Sequence, residues 1–125
     1  MFKHTKAFSG FAVDDLQKAH EFYRDTLGLE VEVLEEGMLI SLKLAGDRDT
    51  LVYSKPDHAP ANYTVLNFPV DDVEQAVDEL TARGVELLRY DGFEQDEKGI
   101  SRGAGPTIAW FTDPAGNVLA VLDAT

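Results

Sequence analysis

The chain has 125 residues, enough for one domain with a single sizeable core. Its formal charge of −12, from 23 acidic against 11 basic residues, excludes nucleic-acid binding, which needs Lys and Arg clustered against phosphate. There is no cysteine, so disulfides and thiolate chemistry are excluded, and no apolar run approaches the roughly 20 residues that cross a bilayer.

Met1 to Lys6 lacks the apolar core of a signal peptide, and the expected location is the cytoplasm. Phe11 and Val13 then alternate with their neighbours at the period of a strand. Asp14 has the place of a helix N-cap, with Gln17 three residues later as in a capping box. Leu16, Ala19, Tyr23 and Leu27 give the helix one apolar stripe, and Gly28 stops it in the left-handed conformation. Three strands follow, at about 30–34, 38–44 and 50–53, with turns at 35–37 and 46–47. A Pro-rich connector covers 54–62.

The second half repeats the first. Phe68, Val70 and the pair Asp71-Asp72 match Phe11, Val13 and Asp14-Asp15. A helix is predicted from the stripe Val73, Ala76, Val77 and Leu80, capped by Asp71 with Glu74 and ended by Gly84. Strands are predicted at 86–90, 107–112 and 118–122. Asp113-Pro114-Ala115-Gly116-Asn117 joins the last two as a hairpin, its Asp and Asn bonding the turn backbone. Between them, residues 90–106 form a charged, Gly-rich loop, either a lid over a site or a merely mobile segment. The fold class is α+β: two βαβββ modules, about 1–53 and 63–125, in a single domain spanning 1–125.

The duplicated unit, with "VDDLQKAHEFYRDTLGLEV", "FPVDDVEQAVDELTARGVEL" and "FTDPAGNVL" in that order, resembles the vicinal-oxygen-chelate superfamily. That group includes glyoxalase I, extradiol dioxygenases, and fosfomycin- and bleomycin-resistance proteins. The resemblance implies two modules curled into a cup around a small-molecule site, and a homodimer. In metal-dependent members it implies ligands seven residues before the Asp that opens each helix, and three residues after the Asn of the hairpin turn. Those positions are Phe8, Val65 and Ala120. Phenyl, isopropyl and methyl groups offer a cation no lone pair. A register shift of one residue reaches only Ser9, Leu66 and Val121. His4, His20 and His58 lack partners at ligand spacing, so no metal and no other cofactor is expected.

No catalytic residue is assigned either. There is no nucleophile–base pairing, and Gly103-Ala104-Gly105-Pro106 is too short and too far from a helix start to cradle phosphate. The paired carboxylates Asp14-Asp15 and Asp71-Asp72 are accounted for by helix capping. Strand alternation turns Phe11, Val13, Phe68, Val70 and Phe111 toward the helices. It turns Phe8, Gly10, Ala12, Val65, Asn67, Pro69, Ile108, Trp110, Val118 and Ala120 toward the cup, with Tyr53 at its rim. Phe8, Gly10, Tyr53, Val65, Asn67, Trp110 and Ala120 are the candidate ligand-binding residues.

An apolar, aromatic wall with a few polar points describes either a ligand pocket or a filled core. The expected function is metal-independent binding or sequestration of a small aromatic or amphipathic molecule, as in bleomycin-resistance proteins. The acidic surface favours a cationic aromatic one. The alternatives are a glyoxalase-, dioxygenase- or lyase-type enzyme with a diverged site, and a protein-interaction module with a vestigial cup.

Overall fold

A computed structural model describes residues 1–103 and 105–124. Ala104, within the predicted 90–106 loop, and Thr125, the last residue of the predicted second module, lie outside the described residues. The chain divides into two compact units, Met1–Ala59 and Pro60–Thr125. The architecture is α+β.

The first unit runs β1 (Ser9–Val13), α1 (Leu16–Glu21), β2 (Glu30–Leu34), β3 (Leu39–Lys43) and β4 (Thr50–Ser54). Its four-stranded sheet has the order β1-β4-β3-β2, with β1 parallel to β4 and the other pairs antiparallel. Val13, Ile40, Leu42 and Val52 are buried on the side covered by α1, together with Ala19 and Tyr23. The helix carrying Tyr23 widens into a π-helical turn over Phe22–Thr26. This seats the fully buried Tyr23 ring between Phe11, at 6.0 Å, and Phe22, at 5.2 Å edge-to-face.

The second unit runs β5 (Thr64–Val70), α2 (Val73–Ala82), β6 (Ile108–Thr112) and β7 (Val118–Asp123). β7 lies in the middle of a three-stranded sheet, parallel to β5 and antiparallel to β6. α2 packs on β6 and β7 through Val73, Val77 and Leu80, over a layer of Ala109, Phe111, Leu119 and Val121. Buried Asp113 accepts from the N–H groups of Ala115 and Asn117 through Oδ1, and from the Asn117 amide through Oδ2. Gly116 completes the turn at φ +87°, where an added Cβ would lie 3.2 Å from the Pro60 ring.

Two expectations are corrected. The N-caps are Asp15 and Asp72, the second carboxylate of each pair, accepting from Lys18 N–H and Gln75 N–H. The cap must be the last extended residue before the helix, and these two hold φ of −128° and −135°. The strand expected at 86–90 shrinks to one bridge, Leu87 to Phe111, with Leu88 N–H donating to Trp110 O. Its remaining partners come from the loop that follows, because the chain turns back on itself at Tyr90 instead of continuing along β6.

Candidate functional site

The register of the second sheet fixes what faces away from α2. Asn67, Ala120 and Trp110 stand in one row across β5, β7 and β6. Pro69, Leu122 and Ile108 form the next row on the same face. Asn67 is exposed, Ala120 fully buried and Trp110 half-buried. An unpaired amide in an otherwise apolar strand would cost about 1–3 kcal/mol if buried, but the exposed Asn67 reaches solvent. Val65 sits where the register skips between Thr64 and Leu66, a bulge that gives β5 one residue more than its partner.

Trp110 is the centre of an aromatic group that strand alternation alone does not reveal. Tyr90 meets it edge-on, at a centroid separation of 5.2 Å and an interplanar angle of 83°. Phe93 meets it at 5.2 Å and 60°, and lies 6.2 Å from Tyr90. Such contacts are worth about 0.5–1.5 kcal/mol each beyond area burial. Phe93 remains 54% exposed, so the group has an open side.

The turn Tyr90-Asp91-Gly92-Phe93 brings the two loop rings together. Gly92 has φ +90°, as the third position of a type II turn requires, and Phe93 N–H points back to Tyr90 O at 3.4 Å. An Asp-Gly pair between two aromatics was the signal in the sequence for this arrangement.

Residues 88–101 are tied down. Gln95 Nε2 donates to Leu88 O and Gly99 O at 2.9 and 2.8 Å, while its Oε1 accepts from Tyr90 N–H at 2.8 Å. Asp96 Oδ1 accepts from Lys98 N–H and Ile100 N–H, and Oδ2 from Arg102. Partial burial pushes the Asp96 carboxyl up, but the Ile100 N–H, Arg102 and the Lys98 N–H together hold it below the usual carboxylate range. Lys98 reaches α2, pairing with Asp78 at 2.9 Å and Glu74 at 3.1 Å, and these carboxylates raise its pKa. Ile100 is buried, and Ser101 pairs with Ile108 along the edge of β6.

Of the loop's cations, Arg89 donates to Asp96 O and Glu97 O, while Arg102 and Lys98 are held by carboxylates. Asp91 and Glu94, next to the two rings in sequence, are exposed. Carboxylates outnumber cations over residues 88–102, with Asp91, Glu94, Asp96 and Glu97 against Arg89, Lys98 and Arg102.

In the first unit, Gly10 pairs with Leu51, and a Cβ there would lie 3.2 Å from Leu51 O. Tyr53 pairs with Ala12 and Leu39 and is 41% exposed. Phe8 precedes β1 and is exposed.

The three positions where the resemblance implies metal ligands do not fit a cation. Ala120 presents a buried methyl in the Asn67–Trp110 row, Val65 an isopropyl at the bulge and Phe8 an exposed ring. Among the described residues no group of three or more His, Asp or Glu side chains could hold a metal ion. No helix among them is long and apolar enough to cross a membrane.

Comparison with known proteins agrees with this architecture. A Bacillus subtilis (strain 168) protein, the uncharacterized YraH, is 29% identical over 123 residues, covering 87% of this chain and 90% of its own. The crystal structure of TnmS3, an antibiotic-binding protein from Streptomyces sp. CB03234, has a TM-score of 0.70 at 24% identity, covering 98% of both chains. A lactoylglutathione lyase from Agrobacterium tumefaciens has a TM-score of 0.65 at 24% identity, covering 98% of this chain and 96% of its own. At such identities the two structures speak for the fold alone. The model of the Glyoxalase/Bleomycin resistance protein/Dioxygenase superfamily matches residues 2–121, and with the duplicated strand–helix unit and its Asp-Pro-Ala-Gly-Asn hairpin, the chain belongs to that superfamily.

Proposed function

We propose that this protein binds small aromatic or amphipathic molecules without a metal, at the aromatic group on the face of its second sheet turned away from α2. The observation that carries the reading is the Tyr90–Phe93–Trp110 group, whose Trp110 shares a face with exposed Asn67 and whose loop rings have exposed Asp91 and Glu94 as chain neighbours. Ring faces supply stacking area, the carboxylates favour a positive charge, and the Asn67 amide offers one directional hydrogen bond. Planar aromatic cations combine all three. TnmS3, named as an antibiotic-binding protein, gives a precedent for antibiotic binding on this fold. We place the protein in the cytoplasm as a homodimer, the commonest closed symmetry. A monomeric mass by light scattering at micromolar concentration would count against the dimer.

The test is a titration of the single tryptophan with a cationic acridine dye, followed by neutral and anionic aromatics. Saturable quenching of Trp110, strongest for the cation and weaker at high salt, is expected. Trp110→Ala weakens binding, read from dye absorbance, and Asn67→Leu changes the order of preference among ligands. Tyr53→Ala tests whether the first sheet takes part. The reading is overturned if no compound perturbs Trp110. Its metal-independence is overturned if elemental analysis finds one tightly bound transition metal per chain.

A further inference from the structure

The loop over residues 88–101 contains two turns, and a different side chain organises each. Asp96 holds the second, gathering the N–H groups of Lys98 and Ile100. Gln95 holds the first. After the bridge at Leu87 the chain leaves β6, and Leu88 O, Tyr90 N–H and Gly99 O face the inside of the loop. Gln95 meets all three with one amide, at 2.8–2.9 Å. It joins the outgoing arm, which bears Tyr90 and Phe93, to the returning arm, which bears buried Gly99 and Ile100. The returning arm is itself fixed. Gly99 has φ +85°, and an added Cβ would lie 3.0 Å from Leu87 Cβ.

We propose that Gln95 is the positioning residue of the aromatic site. It sets the rings of Tyr90 and Phe93 against Trp110 before a ligand arrives, so the loop is a preformed wall and not a lid that closes. The inference rests on the small-molecule reading above and assigns the residue that makes its site rigid. Two rings inclined at 60° and 83° to Trp110 form a stepped surface. A rigid polycyclic cation can lie on one ring while its edge meets the next. A flexible chain of equal size would lose more conformational entropy in doing so.

Gln95→Met keeps the length of the side chain and removes the amide. Bound to the acridine dye, it should lose about fivefold in affinity, as should Phe93→Ala. The double variant Gln95→Met/Phe93→Ala should lose clearly less than the sum of the two single losses, because Gln95 acts partly through the Phe93 ring and only its hold on Tyr90 is left to lose. Without ligand, Gln95→Met and Phe93→Ala should both increase acrylamide quenching of Trp110 and weaken its near-ultraviolet circular dichroism. Gln95→Glu keeps the acceptor for Tyr90 N–H, loses both donations and should fall between wild type and Gln95→Met.

Independent, additive losses in the double variant would overturn the proposal. So would a Gln95→Met protein whose Trp110 quenching and dichroism match wild type. A wild-type protein that binds no dye sinks the small-molecule reading, and the ligand-free quenching then decides the role of Gln95 by itself.

Discussion

On the first sheet the row facing away from α1 runs Gly10, Leu51, Ser41, Glu32; on the second it runs Asn67, Ala120, Trp110. Gly10 and Asn67 occupy equivalent places, each five residues before its N-cap Asp. Beyond those positions the two faces part. The first ends in charge, with Lys43 held between Asp49 at 2.7 Å and Glu32 at 3.0 Å, and these carboxylates raise its pKa. The second ends in three aromatic rings.

The cause lies in the connections. In the first unit Glu35–Gly37 turns directly from β2 into β3, and β2 forms a full edge strand. In the second, the equivalent strand dissolves after Leu87 and its chain becomes the loop that brings Tyr90 and Phe93 to Trp110. Duplication supplies the same scaffold twice, and one long connection makes one copy chemically distinct. The helix-facing layers, by contrast, stay alike, since both must fill a core against one helix.

The largest effect should come from that shared layer. Phe111→Ala, at a fully buried ring, is expected to cost about 3–5 kcal/mol by urea denaturation. Trp110→Ala, one residue away on the opposite face, should cost clearly less and act mainly on dye binding. Equal stability losses would mean that the two faces of β6 are not distinct.

Gly99→Ala comes next. Its left-handed φ and the 3.0 Å approach to Leu87 should cost about 1–3 kcal/mol and raise acrylamide quenching of Trp110. Gly10→Ala in the first unit should cost less, since no left-handed φ is involved there. Asp15→Ala and Asp72→Ala should each destabilise by about 0.5–2 kcal/mol, while Asp14→Ala and Asp71→Ala leave the caps intact. Thermal melts of the four variants would show which member of each pair caps its helix.

The smallest effect is one of pH. The Asp96 pKa is lowered in the fold, so its contribution is full above the unfolded carboxyl value near ~3.9 and is lost as pH falls through the folded value. The groups around it are Arg102, the N–H groups of Lys98 and Ile100, and Arg89 on its carbonyl. Trp110 fluorescence should therefore hold steady from about pH 5 to 8 and change only below about pH 4. In Asp96→Asn that acid-induced change should shrink.

Features under short-range control were legible from the residues alone. The repeat, the apolar stripes of both helices, the Gly stops and the hairpin at 113–117 follow from spacing and from residues whose dihedral preferences act within a few positions. The chemistry of Phe8, Val65 and Ala120 was equally plain, because a side chain without a lone pair needs no coordinates. Tertiary structure decided the rest. Which Asp caps each helix depends on the last extended φ, and the bulge at Val65 appears only against β7. Gln95 and its three backbone partners, spread over twelve residues from Leu88 to Gly99, are invisible to any periodicity. A loop has no repeat to read, and its hydrogen bonds are chosen by whichever groups the fold leaves unpaired nearby.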